Sequence, residues 1–545
     1  MTAGGDIKAQ GSFHASERVG LNAWVYGHAD DPILDIYGGP LQLNGPAIHG
    51  ESDPRYVRPM IVGGHTYKSI SGAGSFDLSV KVPAKDEVRF RDSIGEDSWI
   101  DIEFTKNDVP YHTLRGLVDS VTRARSIGRG GVTDTVWHVV GRDLTKVFLE
   151  TQVLFNHFAA ENIAGAAVLR SQLFHGAMYG SGAPSEVVKA YLFGFLDVLG
   201  EYGRALWDAP PGMPGIAAGA RIPDVIGYEP SEAADLPKRR AVNPNFVYLD
   251  SARLWQLAQE WSDPQFNELF VDLTDIWGRP LAPDPADPSA RRAGWPRKST
   301  ATSVIFRERP FPHNTRGGRF GDSAWSKLPT ATVQRGELAG GRIGRGGGER
   351  LNWIEVSPRL LQEMVGAHIQ LQEPLVDVRS VYRHGVRRLL VTSPYMVEPF
   401  EVSDPNFVGP QLPATEVEGY NQLRQKLVQW YALNPYFWSG TLPLAHGRPD
   451  IRVGQRVHIP SVVGDDLDEW YYVEGVQHAF STARLRGTLR STLHVTRGWH
   501  GDETSLYADI QTAADRFRTP EPAIPGASGV AFQDAPETTS EERYA

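Results

Sequence analysis

The sequence predicts a β-rich α+β protein that is divided into several domains. The chain has 545 residues, which is too long for one hydrophobic core, and its 56 glycines and 39 prolines favour many turns. Near the C-terminus, Leu493 and Val495 face one way while Thr492, His494 and Thr496 face the other, as in a half-buried strand. Turn content and alternation together indicate short strands with helical insertions between them.

Strands are predicted throughout the first quarter of the chain. The segments with strand character are residues 75–82, 99–104, 117–124 and 135–140. In the second segment, Ile100, Ile102 and Phe104 alternate with Asp101 and Glu103. A strand with this pattern places one face in the core. We therefore expect Asp101 and Glu103 to contact water or a partner.

Helices are predicted in the middle of the chain, where apolar residues recur at spacings of three and four. One begins near Pro184 and carries Val187, Tyr191, Phe195 and Val198 on one face. Another follows Ser251, a suitable N-cap residue. Its apolar stripe is Leu254, Leu257, Ala258 and Trp261.

Further elements are expected along the rest of the chain. Asp263 and Pro264 are predicted to start a short helix that carries Phe266, Leu269 and Phe270. A strand is predicted at residues 304–307, a helix from Ser357 and Pro358 onward, and a helix at residues 417–431. In the strand at residues 470–480, we expect Gly475 to mark a bulge and one face to carry Tyr472, Val476 and Phe480.

Composition excludes several classes of function. The chain has no cysteine, so disulfides, thiolate catalysis and cysteine-ligated metal sites are excluded. No run approaches the ~20 apolar residues that a membrane span needs, and the N-terminal residues lack the order of a signal peptide. Synthesis in the cytoplasm is therefore expected.

The formal net charge of −10 is opposite to that of a general DNA binder, so stable DNA binding is not expected.

Candidate sites for phosphate and metal have simpler interpretations. The glycines between 340 and 348 lack the Lys-Ser or Lys-Thr pair of a phosphate-binding loop, which favours a flexible basic loop. Histidines concentrate near the C-terminus, but their spacing does not match a metal motif, so neutral surface or interface histidines are expected. They are His446, His458, His478, His494 and His500.

Acidic and aromatic residues raise the alternative of a cell-wall hydrolase or a carbohydrate-binding protein. Glycoside hydrolysis needs two carboxylates facing each other across a cleft. Asp101 with Glu103, and the acidic turn at residues 465–469, are interpreted instead as solvated residues. Trp255 and Trp261 are expected in the core, because they lie in or beside a helical stripe.

Seven segments, taken in order, resemble phage baseplate hub proteins, which belong to the tails of tailed bacteriophages and related contractile injection systems. They are residues 98–104 (SWIDIEF), 116–125 (GLVDSVTRAR), 139–156 (VVGRDLTKVFLETQVLFN), 254–273, 304–312 (VIFRERPFP), 434–457 and 451–499. Each is a structural signature with no cofactor chemistry. The resemblance covers roughly residues 90–500.

The resemblance implies a structural protein without enzymatic activity. Three chains would form a ring that joins the sixfold tail tube to the threefold central spike and lets the genome pass. It implies two tail-tube-like β-barrel domains, at residues 21–145 and 301–500. The remaining parts would be an N-terminal arm (1–20), a helical insertion and linker (146–300) and a partly disordered C-terminal tail (501–545).

Expected partners follow from the same resemblance. They are two further copies of the chain, the tail tube or distal tail protein and the central spike, with the tape-measure protein and the baseplate wedge as additional candidates. The location implied is the tail baseplate of a virion. DNA would cross the lumen without specific binding, and we hypothesise an acidic lumen that suits this passage. No cofactor, metal or catalytic residue is predicted.

Four residues are predicted to form subunit interfaces. Arg142 and Asp143 belong to the Gly-Arg-Asp turn, and Arg452 and Arg456 to the closing strands. The alternative is that Asp143 caps the helix that follows and that Arg142 forms an ion pair within its own chain.

Overall fold

The computed structural model describes most of the chain in separate ranges. These are residues 18–27, 41–44, 60–84, 87–127, 133–154, 182–194, 196, 208–210, 213, 216, 219–241, 251–279, 302–311, 324–358, 374–397, 414–461, 468–483 and 486–519. Strands dominate these ranges, which confirms the β-rich class. The predicted helical residues Phe195 and Val198, and the acidic residues Asp465 and Asp466, lie outside them.

The described strands are numbered here in chain order. They are β1 (Val19–Gly27), β2 (Leu41–Asn44), β3 (Met60–Ser69), β4 (Gly72–Lys81), β5 (Trp99–Lys106), β6 (Val109–Ile127), β7 (Thr133–Asp143), β8 (Gln152–Leu154), β9 (Ile226–Pro230), β10 (Arg239–Ala241), β11 (Ser251–Arg253), β12 (Asn267–Asp272), β13 (Thr302–Glu308), β14 (Thr330–Thr332), β15 (Arg342–Gly344), β16 (Trp353–Pro358), β17 (Leu375–Asp377), β18 (Arg388–Ser393), β19 (Tyr395–Val397), β20 (Trp438–Leu444), β21 (Arg456–Ile459), β22 (Glu469–Ala483), β23 (Arg486–His500) and β24 (Phe517–Arg518).

The described α-helices are fewer and mostly short. They are α1 (Glu87–Ser93), α2 (Thr145–Glu150), α3 (Pro184–Lys189), α4 (Ile222–Val225), α5 (Leu254–Trp261), α6 (Ala324–Lys327), α7 (Val378–His384), α8 (Ala414–Tyr431) and α9 (Glu503–Ala514). A π-helical segment, Ala190–Gly194, continues α3. No helix among the described residues is long and apolar enough to cross a membrane.

The first seven strands form a sheet whose pairings return to their starting point. The order is β3-β2-β1-β5-β6-β7-β4, and β4 pairs again with β3. The link between β2 and β3 is one parallel pair, Asn44 with Met60, and the other neighbours are antiparallel. All four strands predicted in this region are found. The sheet encloses an apolar core that includes Leu21, Phe76, Ile102 and Val139.

A second group of strands forms around the long antiparallel pair β22 and β23. On one side β23 pairs with β20 and β20 with β15, and on the other side β22 pairs with β21 and β21 with β14. The continuous stretch 330–344 supplies both β14 and β15, so it contacts both outer strands of the group. The C-terminal half of β22 also pairs with β3, which makes the two groups one continuous sheet.

The bulge predicted at Gly475 is confirmed, but its effect on the strand faces was not predicted. The register of β22 against β23 shifts between Val473 and Gly475. An extra residue reverses the alternation of side chains beyond it. Val476 therefore packs with Val473, whereas Tyr472 packs with Trp325 on the other face. The expectation that Tyr472 shares a face with Val476 is wrong for this reason.

A helical layer packs beside the first sheet. Helices α2, α3 and α5 share one buried cluster with strands β9, β12 and β13, which form the three-stranded sheet β12-β13-β9. Val187, Trp255 and Trp261 lie in this cluster, as predicted. The N-cap position of α5 is Arg253, because Ser251 belongs to β11.

The short helix predicted after Asp263 is absent, since residues 267–272 form β12. Asp263 has a φ of 56°, a left-handed conformation, whereas the residue that caps the start of a helix is usually extended. Its carboxylate accepts hydrogen bonds from Arg239 Nη1 (2.6 Å) and Ser393 Oγ (2.7 Å). These distant partners hold the turn, and a local pattern carries no sign of them.

The remaining elements form a separate layer. Strands β18-β16-β17-β24 make a four-stranded sheet, and α8 packs on it through Tyr420, Leu423 and Leu427. Helix α9 packs against Leu433 and Phe437 after the end of α8. Ser357 and Pro358 belong to β16, so they do not start a helix, and the rest of that predicted helix lies outside the described residues.

Candidate functional site: a buried ionic seam

A chain of buried charges lies where the two strand groups meet the helical layer. Lys68 on β3 contacts Asp143 at the end of β7 (Nζ to Oδ2, 3.5 Å) and Asp272 at the end of β12 (Nζ to Oδ1, 3.2 Å). Arg452, which precedes β21, lies 3.8 Å from Asp272. We call these four side chains the ionic seam. Each is at least nine-tenths buried.

The ionic seam contains two cations and two carboxylates. Burial and the neighbouring cations have opposite effects on the pKa of each carboxylate. Burial would raise the pKa of Asp272, but Lys68 and Arg452 outweigh that effect and lower the pKa. At Asp143 burial dominates and raises the pKa, although Lys68 opposes the shift. A pair of buried charges becomes costly when one partner is lost, so the ionic seam fixes the relative positions of β3, β7 and β12.

The ionic seam continues into the first sheet. Arg452 donates to the backbone oxygens of His112 and Thr113 on β6. His112 Nε2 lies 3.3 Å from Asp101, which also accepts hydrogen bonds from Arg115 Nε (2.7 Å) and Nη2 (3.2 Å). Burial lowers the pKa of His112, although Asp101 opposes that shift.

The expectation that Asp101 and Glu103 are solvated is wrong. Asp101 has no exposed surface and Glu103 is 3% exposed. Burial, and then the charge of Asp101, raise the pKa of Glu103 to about 8, although a hydrogen bond from Asn22 (3.3 Å) lowers it. Both faces of β5 are buried because other elements cover the face that carries the carboxylates.

The space inside the ionic seam is too small for a substrate. A cavity of about 10 Å³ is lined in part by Lys68, Asp272, Arg452 and His478. One water molecule needs about that volume. This arrangement can hold strands together and leaves no room for a reaction between the buried acids and a ligand.

A second buried network explains the arginine-rich strand at residues 304–312. Arg307 on β13 donates to Glu268 Oε2 (2.9 Å), to the Gly454 oxygen (3.1 Å) and to the Tyr472 hydroxyl (3.1 Å). The Tyr472 hydroxyl in turn donates to Glu268 Oε1 (2.7 Å). Arg307 therefore joins the three-stranded sheet to β22.

The neighbours of Arg307 attach the same strand to α8. Glu308 pairs with Lys426, and the Arg309 guanidinium lies 5.6 Å from the centre of the Trp430 ring. Phe311 contacts Trp430 edge to face. The arginine-rich segment at residues 304–312 therefore serves packing, which agrees with its description as a structural signature without cofactor chemistry.

The four predicted interface residues all have contacts within the chain. Arg142 donates to Asp119 (2.8 and 3.0 Å) and pairs with Glu150, and Asp143 Oδ1 accepts from the Thr145 backbone NH (3.1 Å) in the first turn of α2. Arg456 lies over the rings of Trp325 and Trp470. The intrachain alternative describes these contacts. An interface role for the four residues, Arg452 included, stays a prediction.

The C-terminal histidines form no metal-binding cluster in the described part of the chain. Among the described residues, no group of three His, Asp or Glu side chains could hold a metal ion. His478 is buried, which corrects the expectation of a surface position, and burial followed by the charge of Arg452 lowers its pKa to about 3. His458 stacks on Trp470 at 4.1 Å between ring centres, and His500 stacks on Trp438 at 5.2 Å.

One larger pocket lies away from the ionic seam. Its volume is about 350 Å³, and it opens between the loop that carries Arg345 and Arg350, the end of α8 and helix α9. Its aromatic lining includes Tyr436, Trp438 and Trp499. No sequence motif predicted this pocket, because its lining comes from segments that are distant in the chain.

Comparisons with known proteins gave structural matches only. No model of a protein family matches the sequence, and neither does any curated protein. A tail protein from Neisseria meningitidis is 10% identical, with 88% of this chain and 96% of that one covered and a TM-score of 0.39. A 43 kDa tail protein of a Shewanella oneidensis prophage is 10% identical, with coverages of 88% and 97% and a TM-score of 0.38.

A component of the Escherichia coli type VI secretion system is also similar. It is 8% identical, with 82% of this chain and 76% of that one covered and a TM-score of 0.33, and it is described as similar to T4 bacteriophage tail proteins. All three are described as phage tail proteins or by their similarity to phage tail proteins. With TM-scores below 0.5, they add no argument about its fold or function.

Proposed function

We propose that this chain is a structural hub of a phage tail baseplate or a related injection machine, without enzymatic activity. The observation that carries the proposal is the strand pairing. Strands β1–β7 pair in a cycle, and β14, β15 and β20–β23 surround a second core. We take these as two β-barrels of the tail-tube type within one chain.

The joint between the two proposed barrels supports a rigid structural role. Strands β3 and β22 pair directly, and the ionic seam crosses the same junction through Lys68, Asp272 and Arg452. Such a junction holds the barrels at one fixed angle. Three chains would then present six barrels in a closed ring, which joins a threefold spike to a sixfold tube.

The test is the mass and shape of the purified protein. Static light scattering should give three times the chain mass of 60.1 kDa, and electron-microscope class averages should show an open ring with sixfold features on one face. If the ring forms only with its partner, the same mass should appear after mixing with a spike protein. A monomer under both conditions contradicts the trimer.

Arg142 offers a specific test of the proposed interface. Its side chain is 29% exposed, whereas Asp143, Arg452 and Arg456 are buried. We expect Arg142→Ala to weaken the ring while the chain stays folded by circular dichroism. Because Arg142 also pairs with Asp119, Asp119→Asn is the matched control, and it should leave the ring mass unchanged. Equal loss of the ring in both variants would assign Arg142 to intrachain stability.

The second candidate, a tail-associated cell-wall hydrolase or a carbohydrate-binding protein, is favoured by the pocket that Tyr436, Trp438 and Trp499 line in part. Aromatic rings are suited to stacking on sugars. A zymogram on host cell wall separates the two proposals, because a hub gives no clearing. Sedimentation with cell-wall fragments, compared between the natural chain and Trp438→Ala, tests binding without cleavage.

Further partners and the location follow from the hub proposal. The chain would contact the tail tube or distal tail protein, the central spike, and the tape-measure and wedge proteins, and it would be made in the host cytoplasm and reside in the virion. The genome would pass through the ring without specific binding. The net charge of −10 supports this passage.

A further inference from the structure

An exposed surface that is both apolar and basic lies on α7 and the start of β18. Val378, Tyr382, Val386 and Leu390 are 43%, 77%, 57% and 47% exposed. The described part of the chain exposes eight large apolar side chains to this degree, and half of them fall within these thirteen residues. We call residues 378–390 the α7 surface.

The α7 surface is strongly positive. It carries Arg379, Arg383, Arg387 and Arg388 together with His384, and it contains no carboxylate. Arg388 pairs with Glu355 on the neighbouring strand. An occupant of this surface should therefore combine acidic with apolar side chains, because opposite charges select partners and apolar contacts hold them.

Strand β18 also offers backbone groups. It pairs with β16 on one side, and no described strand pairs with its other side. Along it, Arg388 and Leu390 are exposed while Val391 is buried. An open edge of this kind accepts an additional strand, since unpaired NH and CO groups lie along it.

We propose that the α7 surface binds residues 520–545 of the same chain, with residues 528–534 added as a strand beside β18. Residues 520–545 hold five acidic residues and one arginine. Within 528–534 there is no proline, and Val530, Phe532 and Asp534 alternate onto one face. Two apolar side chains and one carboxylate thereby match the apolar and basic character of the α7 surface.

The connection between the two parts is long enough. The described chain reaches Arg518 on β24, which lies three strands from β18 in the same sheet. A strand added on the outer side of β18 lies four strand spacings from β24, which is about 19 Å, and the ten residues from 518 to 528 can span about 33 Å. A tether of this length gives a high effective concentration, which favours binding within one chain. The inference does not depend on the hub proposal.

Amide hydrogen exchange on the full chain tests the inference. In the natural chain, backbone amides of residues 386–393 and 526–535 should be protected. Val530→Asp with Phe532→Asp should speed exchange in residues 386–393 at least about tenfold, because the open edge loses its partner. Arg383→Glu with Arg387→Glu should produce the reciprocal effect in residues 526–535. Unchanged exchange at both segments would overturn the inference.

The matched control lies on the other face of the same segment. Ala531→Asp with Gln533→Asp adds the same charge where the proposed strand faces away, so residues 386–393 should keep their protection. Loss of protection in this control to the same extent would show a charge effect without the proposed strand. Protection that falls on dilution would place the bound segment on a second chain and overturn the assignment to the same chain.

Discussion

At the scale of single residues, buried charges hold this protein together, and Arg307 shows the expected size of the effect. Arg307→Met would leave Glu268 buried without its cation. We expect the free energy of unfolding to fall by about 3–5 kcal/mol, measured by urea unfolding with tryptophan fluorescence. Arg309→Met, which removes a guanidinium near Trp430 at the margin of the same strand, should cost about 1 kcal/mol. Equal losses of unfolding free energy in the two variants would mean that the buried network around Arg307 stabilises the fold no more than the contact at Arg309.

Glu103 gives a pH dependence of defined sign. Its pKa is about 8 in the folded chain against an ordinary 4.5. The folded chain therefore holds a proton that the unfolded chain has released, and stability falls as pH rises from about 5 through 8. Glu103→Gln should remove this fall. The fall amounts to a few kcal/mol, because each pKa unit of difference between the folded and unfolded chain corresponds to about 1.4 kcal/mol. Exposed Glu232→Gln is the control, and it should leave the pH profile of unfolding unchanged.

At the scale of elements, helix α8 is held against β19 at a glycine. A Cβ atom at Gly419 would lie 2.3 Å from Val397 Cγ1. Alanine favours a helix by about 1 kcal/mol over glycine, yet overpacking costs about 1–3 kcal/mol, so Gly419→Ala should destabilise the chain. Adding Val397→Ala should restore part of the loss in a double-mutant cycle by thermal unfolding. A gain in stability from Gly419→Ala alone would contradict this packing.

At the scale of the whole molecule, charge should keep DNA from adhering. With a net charge of −10, the purified chain or its ring should not shift duplex DNA in gel electrophoresis, even at low salt. Retention that weakens steeply with salt would contradict an acidic lumen. If Arg383→Glu with Arg387→Glu abolished that retention, the α7 surface would belong to the channel wall.

The strand-rich class, the strands between 72 and 143, helices α5 and α8 and the bulge at Gly475 could all be predicted from the amino-acid sequence. These features depend on contacts between near neighbours, which leave a period of two or of three to four residues. The arginine-rich strand was also found from sequence, but its partners in β12 and β22 were not.

The burial of particular polar residues could not be predicted from sequence and became apparent in the folded chain. Asp101 and Glu103 alternate like solvent-facing residues, yet other elements cover that face. Asp263 resembles a helix start, yet Arg239 and Ser393 hold it in a left-handed turn. The physical reason is the same in each case: the deciding partner is distant in the chain, and the free energy of a buried charge depends on where that partner lies in space.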